Sequence, residues 1–262
     1  MLSNSQIKFI RSLQHKKYRK LHNSFVVEGD KVVGELLNGP FAINHVCALA
    51  PWLEAHRHDI PGSVQTTIVS PATLSRISGL STANQVLAVA QIPDDIHLPD
   101  SFSVKGLCLY LDDIQDPGNL GTIIRTADWF GIRQIFCSPG TADLFNQKVI
   151  QASMGSFCRV KTRYEELGVI LGKATNSPAV YGASLKGDDL FNTTCIRDAV
   201  VVIGNESRGI SAVTARYIDK LIRIPGMADS SDRAVISGAE SLNASVAAAI
   251  IMAWFSRLSL SG

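Results

Sequence analysis

From residue 106 onward, short apolar runs alternate with amphipathic stretches, and this alternation constrains the fold of the 262-residue chain more than any other feature. Strand-like runs fall at 106–111, 134–137, 179–183, 200–203 and 220–224, and helical spacing falls at 119–130, 147–155, 164–174 and 211–217. The runs are apolar at consecutive positions, which is the pattern of strands buried on both faces. Strand–helix alternation of this kind predicts an α/β domain built on a mostly parallel sheet, with helices on either side. Residues 241–258 close the chain as a helix that is apolar nearly all round, with Ser241 as a natural cap. Such a helix needs neighbours on both sides, and a second subunit would supply one.

The first half is a separate, smaller α/β layer. Residues 5–13 place Ile7, Ile10 and Leu13 on one helical face, and Asp30 is positioned to cap a helix bearing Val32, Val33, Leu36 and Leu37. Strand runs are expected at 25–28, 44–50, 64–69 and 85–91, with a short helix opening at Ser70-Pro71. Between the halves, Pro93-Asp94-Asp95-Ile96-His97-Leu98-Pro99-Asp100-Ser101 has two prolines, three aspartates and no periodicity. It reads as a linker. The expected organisation is a domain at 1–93, a linker at 94–104 and a second domain at 105–262.

Composition excludes several classes. Apolar residues make up 46% and charged residues 18%, which is globular and not disordered. No apolar run approaches the ~20 residues that cross a bilayer, and the start lacks the layout of a secretion signal. The five cysteines Cys47, Cys108, Cys137, Cys158 and Cys195 are scattered without a Cys-x-x-Cys pair, as expected of reduced thiols in a cytoplasmic protein. Net charge is only +2, yet Lys8, Arg11, Lys16, Lys17, Arg19 and Lys20 crowd the first 21 residues, which contain no acid. That block suits either a polyanion such as nucleic acid or a solvated helix face, and charge alone does not choose.

Three loops at expected strand ends carry the chemistry, since ligands of such sheets bind beyond the C-terminal strand ends. The first runs from Asp112 through Asp116-Pro117-Gly118-Asn119-Leu120-Gly121 to Arg125-Thr126-Ala127. It leads into a helix start where Asn119 can cap or bind and free N–H groups can hold an anion. Its glycine spacing is neither that of a dinucleotide loop nor that of a Walker loop. Arg125 lies two turns in, and spacing alone favours an ion pair with Asp128 over a functional role. The second loop is Gly204-Asn205-Glu206-Ser207-Arg208-Gly209, which is otherwise explained as a tight turn with Glu206 and Arg208 exposed. The third follows Ile224-Pro225 and ends at Ser241-Leu242-Asn243-Ala244-Ser245; Asn243 is a poor helix former if it lies inside the first turn.

Together and in this order, the loops resemble the SpoU/TrmH family of S-adenosylmethionine-dependent RNA 2′-O-ribose methyltransferases. The matching motifs are Asp-Pro-Gly-Asn-x-Gly-x-x-x-Arg-Thr-Ala, Gly-Asn-Glu-x-x-Gly, and Ile-Pro followed by Ser-Leu-Asn-x-Ser. The start of the chain, Ile7-Lys8-x-Ile10-Arg11-Ser12-Leu13 and then Phe25-Val26-Val27-Glu28-Gly29, resembles the substrate-binding domain of the rRNA-directed members. The resemblance implies a C-terminal trefoil knot, which general topology rules would not suggest. It also implies a homodimer through the last helix, a ribosomal RNA substrate and no metal.

By the same resemblance, Arg125 activates the hydroxyl through an RNA phosphate, and Asn119, Glu206, Ser241 and Asn243 orient the reactants. Gly204, Ile224, Leu242 and Ser184 contact the cofactor, and Lys8, Arg11, Lys16, Lys17, Arg19 and Lys20 contact RNA. Two departures stand out. Residues 227–233 form a polar insertion before the third motif ends, and Ser207 replaces a common glycine. The rival readings are a catalytically silent RNA-binding protein and a tRNA-directed ribose methylase. Three further features have plain structural explanations: His56-x-His58 as an exposed helix, Asp112-Asp113 as turn formers, and Trp129 with Phe130 as core.

Overall fold

The computed structural model describes residues 2–94, 98–194, 198–226 and 241–259. Two compact units emerge, Met1–Asp95 with Asp143–Arg159, and Ile96–Ala142 with Val160–Gly262. Cys195 and the insertion 227–233 lie outside the described residues.

The first unit starts with α1 (Asn4–Ser12) and α2 (Lys16–His22). Ser3 and Gln6 form a reciprocal capping box on α1, and Ile7, Ile10 and Leu13 turn inward onto Val26, Leu74, Ile77, Leu87 and Val89. Then follow β1 (Ser24–Glu28), α3 (Asp30–Leu37), β2 (Ile43–Ala48), α4 (Ala50–Ala55), β3 (Gln65–Ile68), α5 (Pro71–Ile77) and β4 (Val86–Gln91). The sheet order is β1-β4-β2-β3, with β4 antiparallel to β1 and β2, and β3 parallel to β2.

Two helices here, α2 and α4, lack a sequence expectation because neither carries an apolar stripe. Asp30 is not the cap of α3. Gly29 holds that position at φ 96°, a conformation that suits glycine, and Asp30 Oδ1 accepts from Trp52 Nε1 at 2.6 Å. His56 and His58 lie in the turn after α4 and not in the expected exposed helix, His56 is half-buried and stacks on Trp52, and no metal-ligating cluster of three exists among the described residues.

The segment Asp143–Arg159 packs here through aromatic side chains. Phe145 meets Phe25 at a ring separation of 4.5 Å, and Phe157 meets Phe41 at 5.4 Å. Glu28, 2% exposed, pins the same segment. Its carboxylate accepts from Ser78 Oγ at 2.5 Å, from Gly79 N at 2.9 Å and from Gln147 Nε2, while its carbonyl accepts from Gln151 Nε2 at 2.7 Å. Burial outweighs these three donors and holds the carboxyl above its ordinary range. The folded state therefore takes up a proton before the unfolded chain does, and the site's contribution to stability weakens as pH rises through that window. Glu28→Ala strands three donors; urea denaturation should register a loss of about 2–4 kcal/mol.

The second unit contains β5 (Leu107–Leu111), α6 (Pro117–Trp129) and β6 (Gln134–Cys137). After α7 (Gln147–Ser153), which belongs to the first unit, come β7 (Lys161–Tyr164), α8 (Leu167–Lys173), β8 (Ala179–Asp189), β9 (Ala199–Ile203), α9 (Ala212–Ala215), β10 (Lys220–Arg223) and α10 (Ala244–Ser259). The six strands are parallel throughout, in the order β10-β8-β9-β5-β6-β7. Alternate strand residues Cys108, Tyr110, Phe136, Val180, Val200 and Val202 cluster with Leu167 and Ile170 of α8. The intervening Leu109, Leu111, Val201 and Ile203 are buried as well, so both faces are covered.

β7 has no sequence expectation because Lys161, Arg163 and Tyr164 make it a polar edge strand. The 179–183 run continues to Asp189 with a register break, Leu221 pairing with Gly182 but Ile222 with Asp188. Trp129 is not core: it is 84% exposed at the end of α6. Cys47, Cys108, Cys137 and Cys158 are free thiols, and burial pushes Cys47, Cys108 and Cys158 up to about 12.

Candidate active site

Within the second unit, the chain leaves β5 toward β6 on one side and leaves β9 toward α9 and β10 on the other. These two neighbouring strands therefore form the topological switch point of the sheet, the place where ligands of such sheets bind, at its C-terminal edge. The first loop enters α6 through an Asp-Pro start. Asp116 is the N-cap, its carboxylate accepting from Asn119 N at 2.8 Å, and Pro117 fills the first helical position, where no N–H is needed.

Asn119 is thus not the cap, one of the two roles its sequence position allows, and its side chain is available elsewhere. Asn119 Nδ2 donates to Glu206 Oε1 at 2.6 Å, and Asn119 Oδ1 accepts from Asn243 Nδ2 at 3.0 Å. Asn243 in turn accepts at Oδ1 from Ser245 N (2.9 Å) and Ser245 Oγ (2.6 Å). Asn243, not Ser241, therefore caps α10, which starts at Ala244. That role explains an asparagine at this position, and its remaining amide group reaches into the site. Three loops separated by 87 and 124 residues thus join in one polar chain, Glu206–Asn119–Asn243.

The other expected residues are placed differently. Arg125 is exposed on α6 and forms no ion pair among the described residues. Asp128, its expected partner, binds Arg133 at 2.7 Å instead. Ser241 is exposed and makes no hydrogen bond among the described residues. Gly204 follows β9, but the group that approaches it is the chain's own backbone. A Cβ there would lie 2.4 Å from Gly209 C, because Asn205 and Gly209 close the loop with paired backbone bonds of 3.0 and 2.9 Å. Ser184 lies in the stretch of β8 that leaves its ladder with β10, and accepts from Lys186 N at 3.3 Å. Ile224 follows β10, and Leu242 is exposed ahead of α10. In the first unit, Lys8, Arg11, Lys16, Lys17 and Lys20 are exposed. Arg19 departs from the expected RNA contact. It is 3% exposed, with its guanidinium committed to Asp143, Leu13 O and Gln14 O.

Sequence reasoning missed the link that braces the first two loops. Asp113 adopts φ 60° and its carbonyl accepts from Asn205 Nδ2 at 2.9 Å, while its carboxylate pairs with Arg208. Its neighbour Asp112 is buried and accepts from Ser211 N at 2.7 Å. Two acids directly after a strand and one arginine in the adjoining loop are the only signal the sequence holds for this brace.

Residues 106–253 match the SpoU rRNA Methylase family. The chain belongs to that family. Residues 4–88 match the MRM3-like substrate binding domain. The chain is similar to the 23S rRNA (guanosine(2553)-2′-O)-methyltransferase of Bacillus subtilis (strain 168), 28% identical over 95% of each chain. It also resembles the structure of a TrmH-family protein from Porphyromonas gingivalis, with 36% identity, a TM-score of 0.82 and coverage of 98% and 99%. A structure of an AdoMet-bound rRNA methyltransferase from Sinorhizobium meliloti gives 26% identity, a TM-score of 0.84 and coverage of 98% and 96%. Family membership and the parallel α/β architecture agree with the resemblance read from the three motifs.

Proposed function

We propose that this SpoU-family chain is an S-adenosylmethionine-dependent RNA 2′-O-ribose methyltransferase that modifies ribosomal RNA. Residues 1–93 serve as the RNA substrate-binding domain, 94–104 as linker and 105–262 as the methyltransferase domain. The observation that carries the reading is the Glu206–Asn119–Asn243 chain, drawn from three separate loops at one edge of a parallel sheet.

The reaction needs a ribose hydroxyl aligned with a methyl group and relieved of its proton. S-adenosylmethionine, when bound, supplies that methyl in activated form, so the protein must orient and polarise. Glu206 fixes the Asn119 amide, and Asn119 and Asn243 with Ser241 orient the ribose. Arg125 clamps the neighbouring phosphate, because a guanidinium holds an anion well and is a poor base.

Cofactor contacts come from Gly204, Ser184, Ile224 and Leu242. The fit is supported by register: Gly182 pairs with Val202 in the last rung of the β8–β9 ladder, and Ser184 and Gly204 each lie two residues beyond it. Exposed Leu242 and Leu185 offer apolar surface for an adenine ring. The family's knotted C-terminal part frames that pocket. Lys8, Arg11, Lys16, Lys17 and Lys20 engage RNA phosphates. A homodimer through α10 completes the assembly, supported by exposed Val246 on α10 and Trp129 on the helix packed against it.

We place the protein in the cytoplasm, in keeping with its free thiols; among the described residues no helix is long and apolar enough to cross a membrane. Calorimetry with S-adenosylmethionine, followed by labelled methyl transfer to ribosomal RNA and to tRNA, tests the reading. Heat of binding and transfer to ribosomal RNA are expected. Absence of cofactor binding would favour a silent RNA-binding protein, and transfer to tRNA alone would favour the tRNA-directed reading. Arg208→Ala, which removes the ionic half of the brace on the second loop, should lower kcat/KM about 5- to 10-fold in the same assay. Its effect on stability should stay below about 1 kcal/mol, because the pair is half-exposed.

A further inference from the structure

α2 is an unusual helix. It has seven residues, too few to be stable alone, and Arg19 is its one buried side chain. No apolar stripe holds it down; the anchor is the Arg19 guanidinium, bound to Asp143 Oδ2 at 2.7 Å and to the carbonyls of Leu13 (3.0 Å) and Gln14 (2.8 Å). Burying an ion pair is a costly way to fix a helix compared with burying a leucine. The result is that every other α2 side chain faces solvent.

Those side chains interleave cations with aromatic rings. Tyr18, 38% exposed, lies parallel to His22 with centroids 6.3 Å apart and planes 11° apart, and His15 meets Tyr18 edge-on at 6.4 Å. Lys17 Nζ is 6.0 Å from the Tyr18 ring, and Lys16 and Lys20 are exposed on the same helix. Leu21 is 67% exposed beside them. No acid occurs before Glu28, which is itself buried. A helix whose own charges are all cationic and which carries exposed, stacked rings complements a polyanion whose bases are free to stack.

We propose that the outer face of α2 is a stacking platform for unpaired nucleotides, with Tyr18 receiving a base and Lys16, Lys17 and Lys20 tracking the flanking phosphates. This rests on the RNA reading above and narrows it: the recognised segment is single-stranded, a loop or an opened strand. A duplex can offer its phosphates to the lysines but no free base face to Tyr18.

The test is fluorescence anisotropy of the full chain with a short single-stranded RNA and with a duplex of equal length. Tyr18→Ala should weaken single-strand binding about 5- to 100-fold and leave duplex binding unchanged. Tyr18→Phe should bind as the wild type does, and Lys17→Ala should weaken both RNAs and lower the salt slope by about 1. Equal losses on both RNAs with Tyr18→Ala, or no loss on either, would overturn the platform; no loss would assign the rings to a protein partner. If the wild-type chain binds neither RNA, the RNA reading itself falls, an outcome distinct from failure of Tyr18 alone.

Discussion

Arg125→Ala is expected to lower kcat for methyl transfer about 1,000-fold, roughly 4 kcal/mol of transition-state stabilisation. The thermal midpoint and the affinity for S-adenosylmethionine should stay at wild-type values. The separation follows from the surroundings of Arg125. α6 is fixed by Leu120, Ile123, Ile124 and Ala127 in the core and by Asp116 at its start, and none of these contacts involves the exposed guanidinium. Among the described residues Arg125 has no ion pair to give it a structural purpose, and Asp128 is held by Arg133. Arg125→Lys should remain well below wild type, because an ammonium cannot reproduce a planar two-pronged grip on a phosphate. Full activity in the alanine variant, measured by label transfer at saturating cofactor, would remove Arg125 from the mechanism.

The second large effect is on folding. Arg19→Met or Asp143→Ala should each cost the first unit about 3–5 kcal/mol, because each leaves a desolvated partner without its counter-charge. Arg19 Nε and Nη2 both reach Asp143 Oδ2, at 3.2 and 2.7 Å, so either change also strands two backbone carbonyls or a guanidinium. Combining Arg19→Met with Asp143→Leu should recover much of the loss, and urea denaturation of the wild type, the Arg19→Met and Asp143→Leu single variants and the double variant measures the coupling directly. If Arg19 were instead an RNA contact, its substitution would leave the urea midpoint in place and reduce RNA affinity in a salt-dependent way. The six basic residues near the start are thus two kinds of residue. Five face solvent and one holds the helix that presents three of them.

That division also marks how far the sequence could be read. The parallel sheet and the three loops are legible because runs such as Ala199–Ile203 are apolar at every position and because Asp-Pro-Gly-Asn, Gly-Asn-Glu and Ser-Leu-Asn follow expected strands in order. Local rules missed where two candidates compete for one role. Asp116 and Asn119 both suit a cap, and the proline between them decides for Asp116 by fitting the first helical position. Ser241 and Asn243 pose the same choice at α10, and the Asn243 side chain settles it. An aromatic residue at a helical position suggests core for Trp129, but neither property says on which face of α6 it lands. What no local rule reaches is long-range pairing. The partner of Arg19 lies 124 residues away, and the segment carrying Asp143 packs with the first unit although the sequence places it among the crossovers of the second.

The most direct test of the whole account follows the chemistry to one atom. Ribosomal RNA labelled by the protein from methyl-labelled S-adenosylmethionine would be hydrolysed with alkali, which cuts beside every free 2′-hydroxyl and spares a methylated one. Convergence of Glu206, Asn119 and Asn243 beside Arg125's target predicts that the label survives in alkali-resistant dinucleotides carrying a methylated ribose. Label recovered in ordinary mononucleotides, on a base, would contradict it.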